Sequence, residues 1–201
     1  MQKSKKSVQP IDYSHKILTV PNILSLLRIA LIPLLCVLYF AKKDGLAAGI
    51  LLGVSALTDV IDGFIARRFN MISNFGKALD PVADKMTQGV VLICLLTRFP
   101  YLAVVVALLI IKEVTTGAVN LHIAKKTGIV NGAEWHGKLT TVVLFLLMFV
   151  HLVWFEITPT VSYIMAAFCL AVMLFSFVLY GVKNHKLLKN HKYYNQTVRV
   201  T

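Results

Sequence analysis

Charge is scarce in this sequence. Only 15% of its 201 residues are charged and no more than 9 are acidic, while 57% are hydrophobic and the mean hydropathy is +0.73. A soluble domain carries charge on about a quarter of its residues. The composition therefore excludes an ordinary soluble protein and predicts an all-α integral membrane protein that crosses the bilayer several times.

Two further absences narrow the class of protein. The sequence has only three cysteines, which lie far apart in apolar runs and lack metal-ligand spacing, so we expect neither a disulfide framework nor a zinc site. The lysines near the N-terminus are not followed by an apolar stretch and a small-residue cleavage site, so we expect no cleavable signal peptide. The net charge of +12 does not predict nucleic-acid binding, because basic residues beside membrane spans fix orientation and contact anionic lipid headgroups.

Six apolar segments of about 20 residues are each long enough to span a bilayer as a helix. They are 23–41, 46–66, 79–97, 100–121, 138–156 and 160–181. The sequence is accordingly divided into an N-terminal cytoplasmic or interfacial arm (1–22), a six-helix transmembrane domain (23–182) and a basic cytoplasmic tail (183–201). The arm has a short apolar face, which is made of Ile11, Tyr13, Ile17 and Leu18. This face predicts that the arm lies on the membrane surface.

Lysine and arginine are concentrated on one side of these predicted spans. That side holds the arm, the connectors after the second and fourth segments, and the tail, whereas the other side holds only Lys42, Lys43 and Arg98. Because basic loops stay in the cytoplasm, an even number of spans with both termini cytoplasmic is favoured. The adjoining ends of the second and third helices then lie at the cytoplasmic face.

Four aspartates occur within 26 residues at those helix ends: Asp59, Asp62, Asp80 and Asp84. A carboxylate near hydrocarbon is costly unless it faces a cavity, a partner or a metal. The i,i+3 and i,i+4 spacings put each pair on one helix face, and a hairpin would bring the two faces together. Four carboxylates at close range predict a hard divalent cation, Mg²⁺ or Mn²⁺.

The residues between the aspartates indicate that a phosphorylated ligand lies beside the metal. Gly63, Ala66 and Gly76 leave space, Arg67 offers a planar fork to phosphate oxygens, and Mg²⁺ keeps positions for substrate phosphates.

Three roles other than a metal site with a phosphorylated ligand are open to this cluster. In the first, the aspartates cap the third helix and pair with the nearby basic residues Arg67, Arg68, Lys77 and Lys85. The second is a cation or proton transporter, and the third is a structural membrane protein with an incidental metal site. A transporter is disfavoured because the acidic residues cluster at one end of the helices and do not thread the bilayer.

The pattern D-x₂-D-G-x₂-A-R-x₈-G-x₃-D-x₃-D runs from Asp59 to Asp84 without departure. It resembles the signature of the CDP-alcohol phosphatidyltransferases, membrane enzymes that make phospholipids from CDP-diacylglycerol or CDP-linked alcohols. The stretches "TVPNILSLLRIALIPLL", "LDPVADK" and "HGKLTT" resemble the branch of that family that contains phosphatidylglycerophosphate synthases and cardiolipin synthases.

The resemblance implies a homodimer of six-helix subunits in a bacterial-type cytoplasmic membrane, with its site open to the cytoplasm. It implies transfer of a phosphatidyl group from CDP-diacylglycerol to an alcohol, with release of CMP. Two divalent ions would be held by Asp59, Asp62 and Asp80, with Asp84 as a further ligand or the general base. The CDP moiety would be bound by Asp59, Gly63, Ala66, Arg67 and Gly76.

The acceptor is less well specified. Arg28, Lys112 and Lys138 favour a phosphorylated acceptor, which would be glycerol 3-phosphate, and Asn22 either caps the first helix or contacts substrate. Glu113 is expected to project away from Lys112, which leaves that ammonium for the acceptor or for an internal ion pair. The resemblance predicts an arginine at that lysine in phosphatidylglycerophosphate synthases. Cardiolipin synthase, with phosphatidylglycerol as acceptor, therefore remains the alternative.

Overall fold

The computed structural model describes residues 19–69, 71, 73–127, 135–154 and 156–198, and all regular structure among them is helical. The all-α prediction is thus confirmed for this part of the chain, whereas the predicted apolar face of the arm lies outside it. The helices are α1 (Val20–Cys36), α2 (Gly45–Arg68), α3 (Asn74–Leu96), α4 (Ala103–Thr127), α5 (Trp135–Val153) and α6 (Pro159–Val198). A π-helical turn, Val37–Ala41, follows α1, and a 3₁₀ turn, Pro100–Leu102, precedes α4.

The start of α1 is fixed by Thr19. Its side chain accepts a hydrogen bond from the backbone N–H of Asn22 at 3.4 Å, and Pro21 occupies the first turn, where its missing N–H costs nothing. The interpretation of Asn22 as the cap of this helix is therefore wrong. Asn22 lies inside the first turn, and its side chain bonds to Ser73.

The start of α3 lies five residues before the predicted position. Ser73 precedes the helix, and its Oγ accepts a hydrogen bond from the backbone N–H of Gly76 at 2.9 Å, which is the arrangement of a helix cap. Gly76, which the sequence analysis placed in the polar connector, therefore belongs to α3. Asp80 and Asp84 consequently lie in the interior of the helix.

Among the residues that the structure describes, five helical segments are long and apolar enough to cross a membrane: Val20–Ala41, Gly45–Ala66, Pro100–Ile123, Trp135–Val153 and Pro159–Asn184. They correspond to five of the six predicted spans. The remaining predicted span, 79–97, lies in α3, which has 23 residues but contains Asp80, Asp84 and Lys85. The segment predicted as a tail from residue 183 continues α6 as helix to Val198.

The chain divides into two compact units, Met1–Val90 and Val91–Thr201. In the first unit α1 packs against α2. In the second, α6 packs against both α4 and α5. The core of the second unit is made of fully buried side chains that include Leu144, Leu147, Met148, Leu152 and Met173.

A buried polar chain accompanies this core. The hydroxyl of Tyr101 bonds to Ser162 Oγ, which lies 2.6 Å from His151 Nε2, while His151 Nδ1 lies 2.7 Å from the carbonyl oxygen of Leu147. A carbonyl only accepts, so Nδ1 carries a proton, and in the neutral imidazole Nε2 accepts from the serine. The histidine is thereby satisfied as a structural residue.

Candidate active site

Polar residues occur at every third position from the cap of α1 into the helix: Thr19, Asn22, Ser25 and Arg28. Each is at most 4% exposed, although the rest of the helix is apolar. A polar residue that is buried at this depth requires a partner. The partners of this set, which we term the polar stripe of α1, define the candidate site in the first unit.

Asn22 joins α1 to the first turn of α3. Its Nδ2 donates to Ser73 Oγ at 2.9 Å, and a Cβ added to Gly76 would overlap Asn22 Oδ1 and lie 3.1 Å from Ser73 Oγ. Gly76 is thus required by the close approach of the asparagine side chain. Ser73 was not predicted as a site residue. The only sequence signal for it is a serine three residues before a glycine at the start of a helix.

Ser25 holds the first aspartate of α3. Its Oγ donates to Asp80 Oδ1 at 2.6 Å and also lies 3.2 Å from the carbonyl oxygen of Pro21. The hydroxyl is fully buried, so its position and that of the carboxylate depend on each other. Ser25 was also missed, and the signal that could have found it is its spacing of three from Asn22 and from Arg28.

Arg28 connects the two aspartate pairs. Its NH1 lies 2.5 Å from Asp84 Oδ1, and its NH2 lies 2.7 Å from Asp62 Oδ2 and 2.8 Å from Asp59 Oδ1. The arginine side chain is 2% exposed and that of Asp62 is 4% exposed, whereas those of Asp59 and Asp84 are each 41% exposed. The site therefore has a buried centre and two carboxylates that a substrate could reach.

The predicted convergence of the two acidic helix faces is present, but a residue of α1 mediates it. Arg28, which the sequence analysis assigned to the acceptor, is the counterion of three of the four aspartates. Gly63 and Ala66 follow these aspartates in α2, and Arg67 lies in the last turn of that helix.

The donor set suits a divalent metal. Four carboxylates offer only oxygen ligands, which Mg²⁺ and Mn²⁺ prefer. In the part of the chain that the structure describes, no group of three or more His, Cys, Asp or Glu side chains forms a ready-made metal cage. Arg28 nevertheless shows that the carboxylates of α2 and α3 can bind one common positive charge.

The other predicted acceptor residues lie in the second unit. Lys112 of α4 and Lys138 of α5 line one cavity of about 300 Å³, and its lining also includes Glu113, Thr116, Asn120, Thr141 and Tyr180. Lys112 is buried, and its Nζ lies 3.6 Å from Glu113 Oε1, so the expectation that Glu113 projects elsewhere is wrong. Thr116 Oγ1 and Asn120 Oδ1 are buried without a hydrogen-bond partner among the described residues.

Several helices long and apolar enough to cross a membrane, together with a cluster of aspartates in the first unit, define a polytopic membrane protein with an acidic site. More specifically, the chain belongs to the CDP-alcohol phosphatidyltransferase family, whose model matches residues 18–184. This match confirms the resemblance seen in the aspartate pattern.

Three relatives illustrate the similarity, and each carries the name CDP-diacylglycerol–glycerol-3-phosphate 3-phosphatidyltransferase. The Bacillus subtilis (strain 168) protein is 36% identical over 60% of this chain and 69% of its own length. The Escherichia coli (strain K12) protein is 30% identical over 61% of this chain and 70% of its own. The Rickettsia bellii protein is 39% identical over 39% of this chain and 44% of its own, so the chain spans less than half of that relative.

The close approach at Gly76 yields a testable prediction. Gly76→Ala forces Asn22 away from Ser73, so we expect a loss of about 1–3 kcal/mol in the free energy of unfolding, as overpacking typically costs. Thermal unfolding in detergent would measure it. Gly89→Ala in the same helix is the matched control, because a Cβ there meets nothing within 4 Å and alanine favours helix by about 1 kcal/mol. Equal melting temperatures for the two variants would contradict the prediction.

Proposed function

We propose that this protein transfers a phosphatidyl group from CDP-diacylglycerol to glycerol 3-phosphate, giving phosphatidylglycerophosphate and CMP. Family membership supports the reaction class, and the names of the relatives support the acceptor. The observation that carries the proposal is the convergence of Asp59, Asp62 and Asp84 on one buried guanidinium. This convergence makes the family's acidic pattern a single site.

The metal and nucleotide roles follow the acidic pattern. Asp59, Asp62, Asp80 and Asp84 would hold two Mg²⁺ or Mn²⁺ ions, which when bound neutralise the diphosphate and stabilise the departing CMP. Asp62 is buried and suits a ligand that substrate does not touch, whereas Asp59 is 41% exposed and can also face the nucleotide. The remaining CDP contacts are assigned to Gly63, Ala66, Arg67 and Gly76, where small residues leave room and an arginine can meet phosphate.

The chemical step is a substitution at phosphorus. The acceptor hydroxyl oxygen attacks the phosphorus that bears the diacylglycerol, a P–O bond forms, and the P–O bond to CMP breaks with its electron pair leaving on CMP. The hydroxyl proton passes to a carboxylate, and we assign this role to Asp84. Asp84 is 41% exposed, so substrate can reach it.

The cavity of the second unit supports a small phosphorylated acceptor. Lys138 provides positive charge for a phosphate, and Lys112 adds an ammonium group that Glu113 partly neutralises. The buried oxygens of Thr116 and Asn120 can bond to hydroxyl groups. A volume of about 300 Å³ is at the lower end for ligand pockets, as suits a molecule the size of glycerol 3-phosphate.

The proposal includes the predicted topology. α3 serves as the sixth span, because a helix that lines a polar site need not be apolar on every face. Both termini and the site then face the cytoplasm, and the protein is a homodimer in a bacterial-type cytoplasmic membrane. The charge distribution of the connectors supports this orientation.

The activity can be tested with purified protein, CDP-diacylglycerol, Mg²⁺ and one alcohol at a time, with CMP and lipid products measured by mass spectrometry. We expect CMP and phosphatidylglycerophosphate with glycerol 3-phosphate and neither with inositol phosphate. Cardiolipin formed from phosphatidylglycerol would select the alternative acceptor. Absence of CMP release with every alcohol would overturn the enzyme assignment.

Asp84→Asn should abolish turnover because an amide cannot accept the hydroxyl proton. We expect a loss of at least about 100-fold in kcat, as is typical for a general base, with measurable binding of CDP-diacylglycerol. Asp44→Asn is the matched control: Asp44 caps α2 through Ala47 at 2.9 Å, and asparagine caps equally well. Turnover that survives in Asp84→Asn would disprove the base assignment.

Lys138→Met should raise the KM for glycerol 3-phosphate by about tenfold, equivalent to about 1.4 kcal/mol, and leave the KM for CDP-diacylglycerol near its wild-type value. The reason is loss of one positive charge from the cavity. Lys42→Met, which removes an exposed lysine between α1 and α2, is the charge-matched control and should change neither constant. A rise confined to the KM for CDP-diacylglycerol would show that the cavity does not bind the acceptor.

A further inference from the structure

The pairing of Arg28 with the aspartates has a consequence for metal binding. Asp84 Oδ1 and Asp62 Oδ2 accept hydrogen bonds from its two terminal nitrogens at 2.5 and 2.7 Å, and Asp59 Oδ1 forms an ion pair with NH2 at 2.8 Å. The arginine is 2% exposed, so these carboxylates take the place of water around the guanidinium. An arginine cannot lose its proton in a protein, and its charge is therefore permanent.

Divalent cations would need the same carboxylates. Mg²⁺ binds carboxylate oxygens at about 2.0–2.1 Å and demands near-octahedral geometry. A lone pair that accepts a short N–H bond cannot also coordinate a metal, and a guanidinium at this distance repels a cation held by the same group. Arginine and metal thus favour different arrangements of one set of ligands.

We propose that Arg28 is a competing counterion: it holds Asp59, Asp62 and Asp84 together when no divalent cation does, and it weakens their binding of Mg²⁺ or Mn²⁺. The inference rests on the proposed function, which assigns these aspartates to the metal. Arg28 is on this view a positioning residue, and the lower affinity keeps the metal exchangeable.

The remaining polar stripe of α1 allows the guanidinium to leave without displacing the helix. Asn22 stays bonded to Ser73 and Ser25 to Asp80, and neither of these contacts uses an oxygen that Arg28 occupies. Arg28 Nε has no hydrogen-bond partner among the described residues, so rotation of the guanidinium breaks only the carboxylate contacts. Exchange between arginine and metal therefore requires movement of one side chain.

The test measures Mn²⁺ binding to purified protein in detergent by electron paramagnetic resonance, without any substrate. Arg28→Met keeps the aliphatic stem and removes the charge, and we expect Mn²⁺ binding about tenfold tighter than in the wild type, from loss of a repulsive charge at close range. We also expect a lower melting temperature in EDTA and a larger rise on addition of Mn²⁺. Arg98→Met, which removes an exposed arginine after α3, is the charge-matched control and should behave as the wild type.

Mn²⁺ binding that is unchanged or weaker in Arg28→Met would overturn the inference while leaving the proposed metal site intact. A wild-type protein that binds no Mn²⁺ would overturn the metal site as well. If Arg28→Met does not fold even with Mn²⁺ present, the Mn²⁺ affinity is measured on Arg28→Lys. A single ammonium cannot reproduce the two-nitrogen fork, so Mn²⁺ should bind more tightly than in the wild type, and equal affinity would refute the competition.

Discussion

Mutual repulsion among carboxylates is the constraint on which the site depends. Asp59, Asp62 and Asp84 lie close together in a chain whose helices are otherwise apolar, and they require positive charge to do so. Arg28 supplies it through three contacts of 2.5–2.8 Å. Because the arginine comes from α1 and the aspartates from α2 and α3, one electrostatic requirement joins three helices. The charge balance of the acidic site and the association of the three helices are therefore linked in this unit.

The polar stripe of α1 shows how an apolar helix can position a polar site. Thr19 caps the start of the helix, Asn22 contacts Ser73 at the start of α3, Ser25 bonds to Asp80, and Arg28 pairs with the other three aspartates. Within the helix, a spacing of three places Asn22, Ser25 and Arg28 on one side of α1, which leaves the remaining surface of α1 apolar for lipid or protein. Few polar residues are needed, because each has its own partner and all are buried.

Local signals predicted much of this arrangement, and long-range partners account for what they missed. Helix spacing predicted that Asp59 and Asp62 project from the same face of one helix, and that Asp80 and Asp84 do so in the next. This prediction needs only the i,i+3 and i,i+4 spacings, which can be read from the sequence. The role of Arg28 could not be predicted, because its partners lie 31 to 56 residues away in the sequence. A lone arginine in an apolar run is equally consistent with binding a substrate and with pairing to distant carboxylates. Asn22 was misread for the same reason: a polar residue after a proline resembles a cap, and only the position of Ser73 reveals its use.

The length of α6 limits where its C-terminal end can lie. Forty residues at about 1.5 Å each make a rod of roughly 60 Å, twice the hydrocarbon thickness of about 30 Å. Transmembrane helices tilt by at most about 40°, at which the rod still extends about 46 Å along the membrane normal. Several turns of the helix must therefore lie outside the hydrocarbon. A straight α6 would carry the basic end of the chain past the headgroups and into water, at a distance that is set by helix geometry.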